Sequence, residues 1–160
     1  MRVVVLADTH LRAGRARRLP AAVYDELDRA DAIIHAGDFV EPALVDELRG
    51  FAPLHAVLGN NDSFGGLPES QLVVLDGVRV AIIHDSGPRA GRDGRLARRF
   101  PGARVVVYGH SHAPDAHTGL HGQLLFNPGS PTERRAQPHH TFGILTLSHG
   151  DVEHEIVALD

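Results

Sequence analysis

Cysteine is absent, which excludes disulfides, a thiolate nucleophile and any Cys-ligated zinc or iron–sulfur site. Lysine is absent as well: all 16 basic residues are arginine, so a catalytic Schiff-base lysine is excluded. Aromatic residues make up 5% of the chain and the formal net charge is −4, a composition that argues against a general nucleic-acid binder. Long apolar runs are missing too. The longest near the N-terminus, Val3 to Ala7, is ended by Asp8, far short of a signal-peptide core or the roughly 20 residues of a membrane span. The expectation is a soluble, cytoplasmic protein with no membrane partner, in which any metal is held by His, Asp, Glu or Asn.

What is present suits one compact core. At 160 residues and 42% hydrophobic, the chain is expected to form a single domain over residues 1–160. Arg2 to Ala7, Ala32 to His35 and Leu54 to Leu58 are short aliphatic runs without alternation, the pattern of strands covered on both faces. Between the first two, Pro20 is placed as the first residue of a helix whose apolar stripe is Val23, Leu27 and Ala30. A second helix starts at Glu41-Pro42, turns Leu44 and Leu48 inward and ends at Gly50. Gln71 to Leu75 and Val78 to His84 flank Asp76-Gly77, a strong two-residue hairpin signal. A helix over 91–100 is expected to bury Leu96 and Phe100 and to leave Arg92, Arg95 and Arg99 in water; strands follow at 104–108, 123–126, 141–148 and 151–159. Pro131 to His140 reads as a surface loop. The fold class is α/β, two mixed β-sheets packed together with helices outside.

The chemistry-bearing residues fall just past the ends of these strands. In chain order they are Asp8-Thr9-His10, Gly37-Asp38, Gly59-Asn60-Asn61-Asp62, His84 and Gly109-His110-Ser111-His112. Taken alone, Asp8-Thr9-His10, Gly37-Asp38 and the run from Gly59 to Asp62 read as turns or caps and His84 as a core-edge residue, whereas the two imidazoles of Gly109-His110-Ser111-His112, spaced i, i+2 after a strand, are more specific. Of these, Asp8, His10, Asp38, Asn60, His84, His110 and His112 offer two carboxylates, four imidazoles and an amide, expected at one rim of one sheet and enough for two divalent ions about 3.5–4 Å apart. Asp38, directly after a glycine, reads either as a carboxylate able to bridge them or as part of a strand-to-loop turn. Two bound ions would add about +4 and attract an anion to an otherwise acidic protein. Arg12, Arg15, Arg17 and Arg18 follow His10 and read first as a solvated loop and helix start, second as an attractor for a polyanion. Asp85 either orients a ligand histidine or turns the chain. Asn127-Pro128-Gly129-Ser130 is adequately explained as a rigid turn.

In these residues the chain resembles the calcineurin-like metallophosphoesterases, specifically the small YfcE-type phosphodiesterase subfamily. The likeness runs over nearly the whole length and is densest at LPAAVYDELDRADAIIHAGD, VYGHSHAPD and NPGSPTERR. It implies a four-layer αββα sandwich. It also implies that Asp8, His10 and His112 hold one metal, that Asn60, His84 and His110 hold another, and that Asp38 bridges the two. A hydroxide shared by the metals would attack phosphorus in line with the leaving oxygen. Manganese is the first choice of metal, with iron, zinc, nickel or cobalt compatible with the same ligands. The chain departs from the wider superfamily at Asn61, where a histidine protonates the leaving group in many members. Asn61 can donate a hydrogen bond to a phosphoryl oxygen but cannot supply a proton. His139 and His140 read first as solvent-facing loop residues and second as a reserve acid.

The implied function is a dinuclear metal-dependent phosphodiesterase acting on a small phosphodiester or other phosphate ester; a homo-oligomer is compatible with the sequence. The alternative is a catalytically weak metal-bound protein-interaction scaffold of the same fold. A serine-hydrolase elbow at Gly109–Ala113 is rejected, since Ala113-Pro114-Asp115 supplies no following helix.

Overall fold

The computed structural model describes residues 1–12, 14 and 17–160, so Arg15 lies outside the described residues. The first strand, β1 (Arg2–Leu6), shows why the early runs lack alternation. Val3, Val5 and Ala7 face one cluster, while Val4 and Leu6 face another, and all five are buried. β1 pairs in parallel with β2 (Ala32–His35), which pairs in parallel with β3 (Leu54–Ala56). The intervening helices, α1 (Ala21–Leu27) and α2 (Ala43–Arg49), lay Val23, Leu27, Leu44 and Leu48 on the outer face of this sheet. Pro20 caps α1 from outside instead of occupying its first turn, and Ala30 lies beyond its end; Gly50 caps α2 as expected.

The chain then crosses to a second sheet through the hairpin β4 (Ser70–Leu75) and β5 (Val78–Ile83), closed at Asp76-Gly77, where both residues have positive φ. Helix α3 (Arg92–Arg99) leads to β6 (Val105–Val107), parallel to β5. β7 (Asp115–Thr118) follows, then a 3₁₀ turn (Leu120–Gly122) and β8 (Leu124–Asn127), which runs parallel to β6 and antiparallel to β7. β9 (Thr141–Ser148) and β10 (Asp151–Ala158) return to the first sheet. The sheet orders are β10-β9-β1-β2-β3 and β4-β5-β6-β8-β7. One apolar cluster fills the space between the sheets, a second lies under α1 and α2, and a third, with Leu96, Ala103 and Tyr108, lies under α3. These layers make the αββα sandwich.

Three expectations need correction. β7 was not anticipated, because its sequence, Asp-Ala-His-Thr, is polar and pairs on one side only. Arg92 and Arg95 are half-buried. Arg95 folds back to give its guanidinium hydrogens to the carbonyls of Ser86 (2.8 and 2.9 Å) and Pro88 (2.5 Å), and the Arg92 guanidinium lies over the Tyr108 ring at 5.0 Å. The loop at 131–140 starts inside the protein, with Pro131 and Thr132 buried.

Candidate metal centre

The rim is shared by two sheets and not formed by one as expected: the parallel strands β1, β2 and β3, and across the interface β5 and β6, end together where open α/β sheets place ligands, because the sheets pack face to face. Asp8 and His10 follow β1, Asp38 follows β2, and Asn60 lies in the loop after β3; His84 follows β5, and His110 and His112 follow β6. The loops that hold them are folded tightly. Asp8, His10, Asp38, His110 and His112 have φ of 54°, 45°, 62°, 70° and 58°. Non-glycine residues in this region cost about 1–3 kcal/mol each and cluster at functional sites, where surrounding structure fixes them.

Three glycines make the approach of these loops feasible. A Cβ at Gly37 would stand 2.7 Å from the Gly59 nitrogen and one at Gly109 would stand 2.8 Å from Asp8 Oδ2, while one at Gly59 would collide with the Asp38 carboxylate.

Two groups of side chains converge: Asp8 with His10 and His112, and Asp8 with Asp38 and His84, the potential ligand atoms of each group lying within 4.8 Å of one another. Asp8 is common to both. Asp38 reaches both sides as well, its Oδ2 standing 3.4 Å from His10 Nε2 and 3.4 Å from His84 Nε2. Asn60 Oδ1 lies 3.0 Å from both His84 Nε2 and His110 Nδ1.

The ring nitrogens show whether this set suits a cation. His84 Nδ1 donates to the Ala36 carbonyl at 2.7 Å, and His112 Nδ1 donates to the Glu133 carbonyl. Each ring's other nitrogen is therefore free to present a lone pair to the centre. At His84 that lone pair faces two acceptors, Asn60 Oδ1 and Asp38 Oδ2, an arrangement that requires a second proton or a metal ion between them. His10 Nε2 and His112 Nε2 are buried without a hydrogen-bond partner, the state of a ligand atom whose partner is a metal. The donor set fits a divalent ion.

The electrostatics agree. Burial pushes the Asp8 carboxyl up to about 7, with the Asp38 charge adding to it and His84 opposing. Burial also acts to raise Asp38, but hydrogen bonds from His84 and Asn61 outweigh it and hold this carboxyl well below the usual range. His84 is pushed down by burial and, more strongly in total, up by Asp38 and Asp8; His10 and His112 are lowered, chiefly by burial.

Asn61 is close to the centre but engaged: its Nδ2 donates to Asp38 Oδ2 at 2.7 Å and its backbone N–H to Asp38 Oδ1 at 2.8 Å. Asp85 Oδ1 accepts from the Gly87 N–H at 2.8 Å, so this residue turns the chain. His139 and His140 approach Asp160 at the C-terminus, at 4.0 and 2.8 Å. Arg12 and Arg17 line a cavity of about 330 Å³ with His10 and Glu133, and Arg18 lies over the Tyr24 ring.

Four supporting residues were missed in the sequence. His35 is fully buried and stacks on Phe39 with centroids 3.6 Å apart. Its Nδ1 accepts the Gly37 N–H at 3.1 Å, which puts the ring proton on Nε2, 3.1 Å from Thr9 Oγ1. Asp62 accepts the N–H groups of Asp38 (2.9 Å), Val40 (2.7 Å) and Gly59 (2.8 Å), tying the second loop to the third. Ser130 and Thr132 donate their hydroxyls to the carbonyls of Asp8 and Thr9, at 2.8 and 2.6 Å.

The sequence model of the calcineurin-like phosphoesterase superfamily domain matches residues 1–150, and the chain belongs to that family. With its two carboxylate–imidazole groups, it is a metal-dependent phosphoesterase. A probable metallophosphoesterase of Methanocaldococcus jannaschii is 38% identical over 138 residues, 84% of this chain and 70% of that protein. One from Methanothermobacter thermautotrophicus is 37% identical over 139 residues, 84% of this chain and 80% of its own. The crystal structure of Entamoeba histolytica Vps29 complexed with zinc shares the fold at a TM-score of 0.78, with 22% identity and 99% of each chain covered.

Proposed function

We propose that the protein is a phosphodiesterase, that residues 1–160 form one domain, and that the centre holds two divalent ions, manganese first among them. The observation that carries this reading is the convergence of lone pairs: unpartnered Nε2 atoms of His10 and His112 on one side, His84 and Asn60 on the other, and Asp38 Oδ2 at 3.4 Å from a histidine on each. Asp8, His10 and His112 would hold one ion, Asn60, His84 and His110 the other, with Asp38 between. The Asp8 carboxylate, common to both groups of ligand atoms, lies against the same space. Bound there, divalent ions supply Lewis acidity, lowering the pKa of water and neutralising phosphoryl oxygens.

The chain's own residues supply order. Asn61 fixes both oxygens of Asp38, and Ala36 and Glu133 set the tautomers of His84 and His112 through their carbonyls. The amide of Asn61 has no proton to give at neutral pH, so in this reading the leaving oxygen departs by its own stability. Substrate is a phosphate ester small enough to approach an open rim. Among the described residues no helix is long and apolar enough to cross a membrane.

A panel of phosphodiesters and phosphomonoesters, presented to metal-stripped protein reloaded with one metal at a time, tests the reading. Diester hydrolysis is expected, with Asp38→Asn folded but reduced by orders of magnitude. Wild-type rates from a fully loaded Asp38→Asn protein would falsify the mechanism. A scaffold with weak turnover is the second reading, favoured by Leu72 and Val74, which are 49% and 63% exposed on edge strand β4. Stoichiometric metal binding with no turnover across the panel would select it.

A further inference from the structure

Beside the metal centre, the N-terminal end of α3 and the start of β7 enclose two adjoining cavities of about 450 and 370 Å³, which share Arg89, Arg92 and Asp115. The smaller is also lined by Ser111, the residue between His110 and His112, so the cleft opens beside the proposed ligands.

Its charges are unevenly satisfied. On one wall, Asp115 Oδ2 accepts the Tyr108 hydroxyl at 2.6 Å and faces His117 Nδ1 at 2.9 Å, while Asp93 Oδ1 faces His117 Nε2 at 3.0 Å. A ring with a carboxylate on each nitrogen carries two N–H groups, so His117 is an imidazolium that occupies both acids. The two arginines are not so matched. Among the described residues neither makes an ion pair; Arg92 Nε is buried without an acceptor, and the hydrogen bond from its Nη2 to the Gly87 carbonyl is long, 3.3 Å. Three cations thus face two carboxylates that are already engaged. Tyr108, Ala113 and Pro114 add a partly apolar wall.

We propose that this cleft is a subsite for an anionic group, a phosphate or carboxylate carried on one ester arm of the substrate, bound by Arg89 and Arg92. The assignment of the arm rests on the phosphodiesterase reading; the anion site itself does not. Ser111 at the shared edge makes the connection. A diester whose phosphorus lies at the metal centre can extend one arm past this residue, and an acidic terminus on that arm meets the guanidinium groups.

Two measurements separate the site from the reading. First, metal-stripped protein is titrated with inorganic phosphate and followed by nuclear magnetic resonance. Saturable shifts at Arg89 and Arg92 are expected, with affinity reduced about tenfold in Arg89→Gln, the loss of one charge-assisted hydrogen bond. Arg89 is exposed, so this variant keeps the packing; Arg92→Gln, checked for cooperative unfolding, is the second. No saturable binding, or equal binding in both variants, overturns the site. Second, manganese-loaded protein is compared on bis(4-nitrophenyl) phosphate and on a 4-nitrophenyl diester whose other arm ends in a phosphomonoester. Arg89→Gln is expected to raise KM about tenfold for the acidic diester only. Phosphate binding without discrimination between the diesters would assign the cleft to free phosphate and overturn the substrate arm. Failure of the wild type on both diesters would sink the phosphodiesterase reading, while the first measurement would still decide the anion site.

Discussion

At the scale of single residues, Asn61 sets the sharpest expectation for the chemistry of the proposed centre. Its amide is committed to Asp38, and an amide has no proton to give at neutral pH. Nitrophenyl diesters should therefore react far faster than alkyl diesters, and a plot of log rate against leaving-group pKa should fall steeply. Asn61→His is expected to flatten that slope, raising rates on poor leaving groups by about 10²–10⁴-fold where the imidazole reaches the oxygen. Parallel slopes at equal metal occupancy would show that another group already donates. His35 makes a different case, because it touches no proposed ligand directly but joins the first loop to the second through Thr9 and Gly37. His35→Phe keeps a ring for Phe39 to stack on and leaves both partners unsatisfied. We expect a loss of roughly 1–3 kcal/mol in stability and of about 10–100-fold in metal affinity; unchanged affinity would show that the loops hold their geometry without it. All seven proposed ligands were visible in the sequence because each carries metal-type chemistry just past a strand end. His35 and Asp62 were not assigned roles, since one ends an apolar run as a core histidine would and the other closes a turn as aspartates commonly do.

Among elements, the early strands were readable because burial on both faces leaves an uninterrupted aliphatic run, whereas β7 was not. An edge strand with four polar or small residues carries no periodic signal, and its place is fixed by side chains outside it: Tyr108 on Asp115 and Asp93 on His117. The loop after β8 was half legible. Its Pro and Gly announce a turn, but nothing local says that Ser130 and Thr132 will be buried against the β1 loop. The β7–α3 link yields a pH prediction. The hydrogen bond to Asp93, with support from Asp115, raises His117 above its ordinary value of 6.5, with modest burial opposing. A histidine whose pKa is raised on folding stabilises fully below the unfolded value and loses that contribution as pH rises through the folded value. The melting temperature of the protein should accordingly exceed that of His117→Gln most clearly below about pH 6, and the gap should close on the alkaline side of the folded-state pKa. A gap that widens from pH 6 to pH 9 would contradict the pairing.

For the molecule as a whole, the centre is where the two sheets are joined by polar chemistry instead of apolar packing. Asp8, His10, Asp38 and Asn60 come from the strand ends of one sheet; His84, His110 and His112 come from those of the other. In the metal-free protein this junction concentrates cost: lone pairs face acceptors, two imidazole nitrogens lack partners, burial raises Asp8 to about 7, and five proposed ligands hold left-handed backbone angles. A ligand that binds only the folded form adds stability by mass action, about 2.7 kcal/mol at a free concentration 100 times its dissociation constant. For a chain of this size that corresponds to roughly 5–11 °C in melting temperature. Manganese should therefore raise the melting temperature of chelated protein by at least that much, with saturation near two equivalents by elemental analysis. Because the ligands span both sheets, amide exchange should slow together in the loops after β1, β2, β3, β5 and β6. Protection confined to the loops of one sheet, with a single equivalent bound, would replace the bridged pair by one ion and remove Asp38 from between two metals. A stabilisation that survives Asp38→Asn at full strength would point the same way, since a neutral amide cannot balance two neighbouring dications.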